Sequence, residues 1–286
     1  MQIGEYTCQT PFVTAGSGNA RWCVAGKKHK QYFLKEFLAP VQPVQTTQTP
    51  TRQVSLRRKR CAAFENRKLH LYEALKRVPE NYVVHVDDFF VHGGHYYAAS
   101  AYLGANYRTL ESFKPDDLQT KLKLLLSLSQ SLSALHTVGI VHADLKPEHI
   151  IIDGNPYAPR VRLIDFDSSF AELAPPEAGN ELAIDPVYMS PEAYRLITGK
   201  NVRLNRKADT FAFGILMHQV LVGSLPGFKK ESYSYPYAAV LNGTMLDVSK
   251  TIDPTLQTLI HKTLKKHPAF RPGDKAMIRD LKAMLR

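Results

Sequence analysis

Short apolar runs separated by glycine and polar residues fill the first hundred residues of the chain. The runs RWCVA, QYFLKEF, YVVHVDDFFV and HYYAASAYL have the lengths and residue types that predict strands. Farther along, apolar residues recur at helical spacing, which predicts helices over residues 118–139, 209–222, 254–266 and 274–286. We therefore expect a small strand-rich part followed by a larger helical part, joined near residues 102–106.

One segment interrupts the strand pattern. Residues 39–60 are rich in Pro, Gln and Thr and close with the four consecutive basic residues Arg57–Arg60. This composition predicts a flexible basic connector. After it, the apolar residues of Cys61–Val78 have helical spacing, so a helix is expected there.

Composition and charge narrow the class of protein. Apolar residues make up 44% of the chain and charged residues 22%, which is typical of globular domains and excludes a mostly disordered chain. The net charge of +11 favours an anionic partner, such as a nucleotide or an acidic protein. The start of the chain lacks the pattern of a signal peptide, and the longest apolar stretch, Phe211–Gly223, falls short of the roughly 20 residues that a bilayer requires. We expect a cytoplasmic protein with no membrane partner.

Two segments in the middle of the chain carry the strongest functional signal. Residues 141–152 have the sequence VHADLKPEHIII, and residues 161–170 have the sequence VRLIDFDSSF. They resemble the catalytic loop HRDLKPEN and the metal-binding DFG motif of protein kinases. Further matches follow in the family's order: GSGN at 16–19, Lys35 in YFLKEF, SPE at 190–192, DTFAFG at 209–214, and Arg271. The ordered set spans the chain and is similar to the Ser/Thr protein kinase superfamily. The GSGNARW and FLKEF segments resemble bacterial members.

The resemblance implies an α+β, bilobal kinase fold over residues 1–286. Residues 1–103 would form a lobe with an antiparallel sheet and one key helix, including the connector at 39–60. Residues 104–286 would form a mainly helical lobe, with ATP and its metal between the two. The cofactors implied are ATP and Mg²⁺, with Mn²⁺ as a substitute.

The resemblance also assigns residues to the nucleotide. Gly16 and Gly18 would let a hairpin lie close over the phosphates, because no Cβ blocks the approach. Lys35 would hold the α and β phosphates. Tyr102 and its neighbours would form the hinge whose backbone groups bind adenine.

Lys35 needs a carboxylate from the helix after the connector, and Glu65 and Glu73 compete for this role. In the kinase pattern the residue four positions later packs into an apolar column. That residue is Leu69 for Glu65 and Arg77 for Glu73. A buried arginine would be costly, so Glu65 is preferred.

The catalytic assignments follow from the chemistry of phosphoryl transfer, which depends on positioning and on neutralising phosphate charge. Asp144 would orient the substrate hydroxyl and accept its proton, and Lys146 would lie against the transferring group. Asp165 would bind the metal. Lys146, two residues after Asp144, favours Ser/Thr over Tyr as the acceptor.

Three further residues have structural roles in the resemblance. Glu192 and Arg271 would form a buried ion pair that ties the activation segment to the helical lobe. Asp209 would bond to the backbone of the catalytic loop.

The sequence departs from the family pattern in the activation segment. Ala143 replaces the arginine that normally receives a phosphorylated activation segment. The segment from Asp165 to Glu192 contains only a few hydroxyl residues, namely Ser168, Ser169, Tyr188 and Ser190. We therefore predict an activity that is independent of phosphorylation in this segment.

Three departures concern the reacting centre. His149 replaces the asparagine that ligates the second metal, so it either binds a metal itself, with Mn²⁺ better suited than Mg²⁺, or only bonds the loop. Asp167 replaces the glycine of DFG, which predicts either a segment that flips less readily, the preferred interpretation, or an added carboxylate near the metals. Asp185 replaces a threonine and would either pair with Lys146 or raise a neighbouring pKa.

These patterns support three hypotheses of function. The first is an ATP-dependent kinase that phosphorylates Ser/Thr residues of a protein substrate, with regulation by a separate protein. The second is a pseudokinase that binds nucleotide or a partner without transfer, which the changes at 149 and 167 suggest. The third, a small-molecule phosphotransferase, is disfavoured because that class does not combine the LKPE, SPE and DxxxFG motifs. No nucleic-acid partner is expected, since the basic runs lack interleaved aromatic residues.

Overall fold

The computed structural model describes residues 1–14, 20–43, 52–104, 107–177 and 182–285. Gly16, Gly18 and residues 44–51 of the predicted connector lie outside the described residues. The chain divides into two compact units, a sheet unit of Met1–Lys76 and Val84–Gly104 and a helical unit of Arg77–Val83 and Ala105–Arg286. The predicted α+β fold class is confirmed.

An antiparallel sheet forms most of the sheet unit. Its spatial order is β1-β2-β4-β5-β7-β6, and β3 pairs with β4. The long central strands pair as hairpins, because consecutive runs of alternating residues are joined by tight turns. The strands are β1 (Gln2–Ile3), β2 (Tyr6–Cys8), β3 (Val13–Thr14), β4 (Ala20–Lys27), β5 (Lys30–Phe37), β6 (Val86–His92) and β7 (His95–Ala101).

One long helix, α1 (Arg52–Leu75), packs on this sheet. Its buried face is Cys61, Phe64, Lys68, Leu71, Tyr72 and Leu75. The ring of Phe64 lies 5.2 Å from that of Phe37 on β5. Because alternate residues of a strand point to opposite faces, Lys35 shares with Phe37 the face of β5 that α1 covers.

Helix α1 begins earlier than the sequence analysis predicts. Residues 52–60, assigned to the flexible connector, are helical, and this part of the prediction is wrong. The physical reason is local composition: RQVSLRRKR contains neither Pro nor Gly, and Arg, Lys, Leu and Gln favour helix. The Pro and Thr residues that indicate a linker all lie before residue 52.

The helical unit contains six helices among its described residues: α2 (Leu118–Thr137), α3 (Pro191–Ile197), α4 (Lys207–Val222), α5 (Pro236–Leu241), α6 (Pro254–Thr263) and α7 (Asp274–Ala283). Helix α4 is buried along most of its length. It packs so closely on α6 that a Cβ at Gly214 would lie 2.1 Å from Oγ1 of Thr263. Within the described ranges, no helix combines the length and apolarity needed to cross a bilayer.

Five short strands complete the helical unit: β8 (Arg108–Thr109), β9 (Ile140–Val141), β10 (Ile150–Asp153), β11 (Arg160–Leu163) and β12 (Phe170–Ala171). Strand β10 pairs with β8 and β11, and β9 pairs with β12. The backbone between β9 and β10 contains Asp144, and the backbone between β11 and β12 contains Asp165. The two strand pairs thereby fix the ends of both loops.

The boundary between the units differs from the predicted division at residue 103. Residues 77–83 belong to the helical unit although they precede β6 and β7. Val83 is fully buried and forms a parallel bridge with Leu163, whose amide donates to the carbonyl of Tyr82 at 2.9 Å. Burial of Val78 and Val83 explains why this segment leaves the sheet unit.

Candidate active site

A buried carboxylate accepts hydrogen bonds from the backbone of the loop between β9 and β10. Asp209, in the first turn of α4, is only 1% exposed. Its Oδ2 accepts from the amide of His142 and its Oδ1 from the amide of Ala143, both at 2.8 Å. Oδ2 also faces Nε2 of His136 at 2.9 Å. The catalytic-loop backbone is therefore fixed immediately before Asp144.

Two residues of the site adopt left-handed backbone conformations that are costly for residues other than glycine. The φ angle is +69° at Ala143 and +60° at Asp165. Each costs on the order of 1 kcal/mol and persists only because surrounding bonds hold it. Such strain concentrates at functional sites, and here it occurs at Asp165 itself and at the residue immediately before Asp144.

The carboxylate of Asp144 has defined partners. Its Oδ1 accepts from the amide of Asp185 at 2.7 Å, and its Oδ2 lies 3.4 Å from Nζ of Lys146. Nζ of Lys146 also lies 4.0 Å from Oδ2 of Asp185. Of the two roles open to Asp185 from the sequence, the geometry gives the ion pair with Lys146. A hydroxyl group placed here would therefore face the oriented carboxylate of Asp144, with the ammonium of Lys146 beside it.

His149 bridges the two loops. Its Nδ1 lies 2.8 Å from the carbonyl oxygen of Asp144 and 3.5 Å from Oδ2 of the same residue. Because a carbonyl only accepts, Nδ1 must carry the proton. Nε2 lies 3.6 Å from Oδ2 of Asp165. A neutral ring would direct the Nε2 lone pair toward this carboxylate, which is favourable only when a cation lies between the two atoms. The loop bond and an available ligand nitrogen are therefore both present, so the two roles considered for His149 are compatible.

The start of the activation segment is tied down by its own side chains. The amide of Asp167 donates to Oδ1 of Asp165 at 3.3 Å. The hydroxyl of Ser168 donates to the carbonyl of Ala183 at 2.6 Å, and that of Ser169 to the carbonyl of His142 at 2.9 Å. Both serines are buried. These bonds tie the start of the segment to Ala183 and to the carbonyl of His142.

The end of the segment is equally constrained. Ser190 is the N-cap of α3, where its buried hydroxyl accepts from the amide of Ala193. The hydroxyl of Tyr188 donates to Oε1 of Gln219 at 2.8 Å, and burial raises the pKa of this phenol. All four hydroxyls between Asp165 and Glu192 are thus bonded within the fold.

The structure brings Glu192 and Arg271 together as a bidentate, buried ion pair. Nη1 of Arg271 donates to Oε1 of Glu192 at 2.6 Å, and Nη2 donates to Oε2 at 2.8 Å. The guanidinium also donates to the carbonyls of Lys207, Lys265 and Lys266. One side chain therefore links α3 with the start of α4 and with the segment that follows α6.

Glu65 and Glu73 have different surroundings in the sheet unit. Glu65 Oε2 accepts from the hydroxyl of Tyr96 at 3.3 Å, and Tyr96 is the cross-strand partner of Phe37, two residues from Lys35. Glu73 is exposed and pairs with Lys76. These contacts favour Glu65 as the neighbour of Lys35.

The reason given for Glu65 in the sequence analysis nevertheless fails. Leu69, expected in a buried apolar column, is 43% exposed. The buried position on this turn of α1 is Lys68, which is 2% exposed, with Nζ 4.9 Å from the ring centre of Phe37. The burial of Lys68 is not predictable from the sequence, because a lysine in a helix normally indicates an exposed face.

The backbone amide of Tyr102 is used within the sheet unit. Its amide donates to the carbonyl of Gln31 at 3.1 Å, which continues the pairing of β7 with β5. The Tyr102 amide is therefore not a donor for adenine. The hinge role of Tyr102 and its neighbours stays a prediction.

Comparison with known proteins shows the family of this chain. The chain belongs to the protein kinase domain family, whose pattern matches residues 54–281. The match begins inside α1 and therefore does not include Lys35.

Three relatives illustrate the similarity. Serine/threonine-protein kinase pkn2 of Myxococcus xanthus is 34% identical over 111 residues, which are 37% of this chain and 12% of the relative. Serine/threonine-protein kinase pkn3 of the same organism is 31% identical over 160 residues, 51% of this chain and 28% of the relative. Human ribosomal protein S6 kinase alpha-3 is 28% identical over 187 residues, 59% of this chain and 23% of the relative. The chain thus spans less than a third of the length of each.

Proposed function

We propose that this chain transfers the γ-phosphoryl group of ATP to Ser or Thr hydroxyls of protein substrates. The observation that carries the proposal is the environment of Asp144. Its carboxylate is oriented by the Asp185 amide and lies beside the Lys146 ammonium. Asp144 accepts the proton of the substrate hydroxyl, and Lys146 balances the charge that develops on the transferring group.

The donor set near Asp144 fits a divalent cation. In the described part of the chain, no group of three or more His, Cys, Asp or Glu residues forms a complete metal site. Asp165 and His149 supply an oxygen and a nitrogen, and nucleotide phosphates and water would complete the shell, as is usual for cations that accompany ATP. A bound Mg²⁺ or Mn²⁺ would neutralise phosphate charge. The imidazole ligand favours Mn²⁺.

The nucleotide-binding roles fall mainly on the sheet unit. Lys35 would bind the α and β phosphates, and Glu65 would orient its ammonium. Support comes from the shared face of β5 and α1 and from the Tyr96–Glu65 bond. Gly16 and Gly18 would close over the phosphates.

Activity would not require phosphorylation of the activation segment. Its hydroxyls are all used in hydrogen bonds, and a phosphate on any of them would break a bond within the fold. Ala143 offers no positive charge to receive such a phosphate. Regulation would therefore come from a separate protein or from the concentration of substrate.

A pseudokinase is the second candidate, because His149 and Asp167 depart from the residues that normally serve the metals. The pairing of His149 with both Asp144 and Asp165 could close the site without a cation. This candidate predicts nucleotide or partner binding without transfer.

One assay separates the two. The chain is incubated with γ-labelled ATP, Mg²⁺ or Mn²⁺ and a mixture of Ser- and Thr-containing peptides. Asp144→Asn should lower transfer by several orders of magnitude. Asp153→Asn is the matched control, since Asp153 lies outside the candidate site, where it forms partly exposed ion pairs with Arg160 and Arg162 of the neighbouring strand. Transfer by the unmodified chain that is no greater than that by Asp144→Asn, under either metal, identifies the pseudokinase.

A further inference from the structure

A fully buried histidine lies between two carboxylates from different helices. His136 is in the last turn of α2. Its Nε2 lies 2.9 Å from Oδ2 of Asp209 on α4, and its Nδ1 lies 3.0 Å from Oδ1 of Asp274 on α7. The side chain of His136 is wholly inaccessible to solvent. At 2.9 and 3.0 Å the ring nitrogens contact both acids directly, with no water between them.

This geometry determines the number of protons at the site. A neutral imidazole has one N–H and one lone pair, so one of the two carboxylates would face a lone pair at about 3 Å. A buried lone pair against a buried anion is strongly unfavourable. Each contact therefore needs a proton, and the raised pKa of His136 together with the lowered pKa of Asp274 puts both protons on the ring, as an imidazolium. Its position at the C-terminal end of α2 favours the same charge.

The charged groups around His136 favour the imidazolium. Asp209 and Asp274 contact the ring directly. Beyond them, Nη1 of Arg206 lies 4.0 Å from Oδ2 of Asp274, and Arg206 is itself paired with Glu172. Lys207 adds a further positive charge that acts on Asp274. Burial alone would lower the pKa of His136, but the bonds to the two carboxylates outweigh it and raise the pKa to about 9.

We propose that Asp274 is a positioning residue for the catalytic loop, an inference that rests on the proposed kinase function. Asp274 forms its polar contacts with His136 and Arg206, and among the described residues none of these contacts is with the loop itself. It keeps His136 doubly protonated, and the imidazolium holds Asp209 in place.

The proton state of His136 affects the backbone next to Asp144 through the hydrogen bonds of Asp209. Asp209 receives the amides of His142 and Ala143, directly before Asp144. Loss of the Nε2 proton would turn a lone pair toward Oδ2 of Asp209, the same oxygen that accepts from His142. The carboxylate would then move, and the left-handed conformation of Ala143 would lose its support.

Deprotonation of His136 at alkaline pH removes this stabilisation. A histidine whose folded-state pKa is raised from about 6.5 to about 9 contributes stability that is complete below pH 6.5. That contribution declines as the pH rises through 9. Catalysis should therefore have an alkaline limb near pH 9, set by His136.

The test compares Asp274→Asn with Asp280→Asn in the full chain. Both substitutions are isosteric and on α7, but Asp280 pairs only with exposed Arg279. We expect Asp274→Asn to move the alkaline limb of kcat to lower pH by about one unit or more, with peptide KM unchanged. Asp280→Asn should leave the limb in place. An unmoved limb in Asp274→Asn overturns the proposal.

A second measurement does not depend on activity. Nitrogen NMR of the ring reports whether His136 is doubly protonated, and its titration should lie near pH 9 in the unmodified chain and lower in Asp274→Asn. A neutral ring at pH 7 overturns the proposal whatever the kinetics. A protonated ring in a chain that transfers no phosphate would leave the proton state of His136 standing and contradict the proposed function instead.

Discussion

Nδ1 of His149 donates a 2.8 Å hydrogen bond to the main-chain carbonyl of Asp144, which leaves Nε2 directed at Asp165. One ring thus connects the loop that bears the proposed base with the loop that bears the proposed metal ligand. The bond to the carbonyl fixes the tautomer, as second-shell bonds do for ligating histidines.

We predict that His149→Asn changes the metal preference. The unmodified chain should be more active with Mn²⁺ than with Mg²⁺, and the variant should shift the ratio of the two rates by about tenfold toward Mg²⁺, because oxygen replaces nitrogen as the ligand. Initial rates at saturating ATP with each metal give the ratio. His267→Asn, an exposed surface change, serves as the control. An unchanged ratio in His149→Asn would mean that the ring only bonds the loop.

The strained backbone at position 143 gives a second prediction. Ala143→Gly should stabilise the chain by about 0.5–1 kcal/mol, because glycine adopts a φ of +69° without steric cost. Ala193→Gly, in helix α3, should have the opposite sign, since glycine weakens a helix. Urea unfolding measures both. A loss of stability in Ala143→Gly would show that the left-handed conformation carries no strain.

The sequence predicted the long elements and the ordered motifs well. The helices at α2, α4, α6 and α7 were found to within a few residues, because each has enough turns to display its apolar period. Helices α3 and α5 were not predicted, as six or seven residues show too little periodicity. The start of α1 was missed because the linker-like composition before residue 52 masked it.

The residues of the candidate site also fall into two groups, those that sequence motifs mark and those that only tertiary packing brings together. Asp144, Asp165 and His149 stand next to one another in the helical unit, as the motif positions require. Asp274 lies 138 residues from His136, and no motif marks it, so only tertiary packing brings the two together. Lys68 was missed for a related reason: its burial depends on the aromatic rings around it.

The buried ion pair of Glu192 and Arg271 gives a third prediction. Arg271→Met should destabilise the chain by about 3–5 kcal/mol, because it leaves the Glu192 carboxylate and three backbone carbonyls buried without their donor. The midpoint of urea unfolding measures this. Arg279→Met is the control, because its pair with Asp280 is exposed, and its midpoint should not move. Equal midpoints for the two variants would contradict a structural role for Arg271.

The bonded hydroxyls of the activation segment lead to the last prediction. Treatment with a broad-specificity phosphatase should leave kcat within about twofold, because Ser168, Ser169, Tyr188 and Ser190 are engaged inside the fold and a phosphate there would cost the bonds they make. Mass spectrometry before and after treatment checks that phosphate elsewhere on the chain has been removed. Ser169→Ala extends the test: it should lower stability by about 1 kcal/mol through loss of the bond to the His142 carbonyl, and the remaining folded protein should still transfer phosphate. A phosphatase-treated chain that loses most of its activity, and regains it on incubation with ATP, would show that the segment is a phosphorylation switch after all.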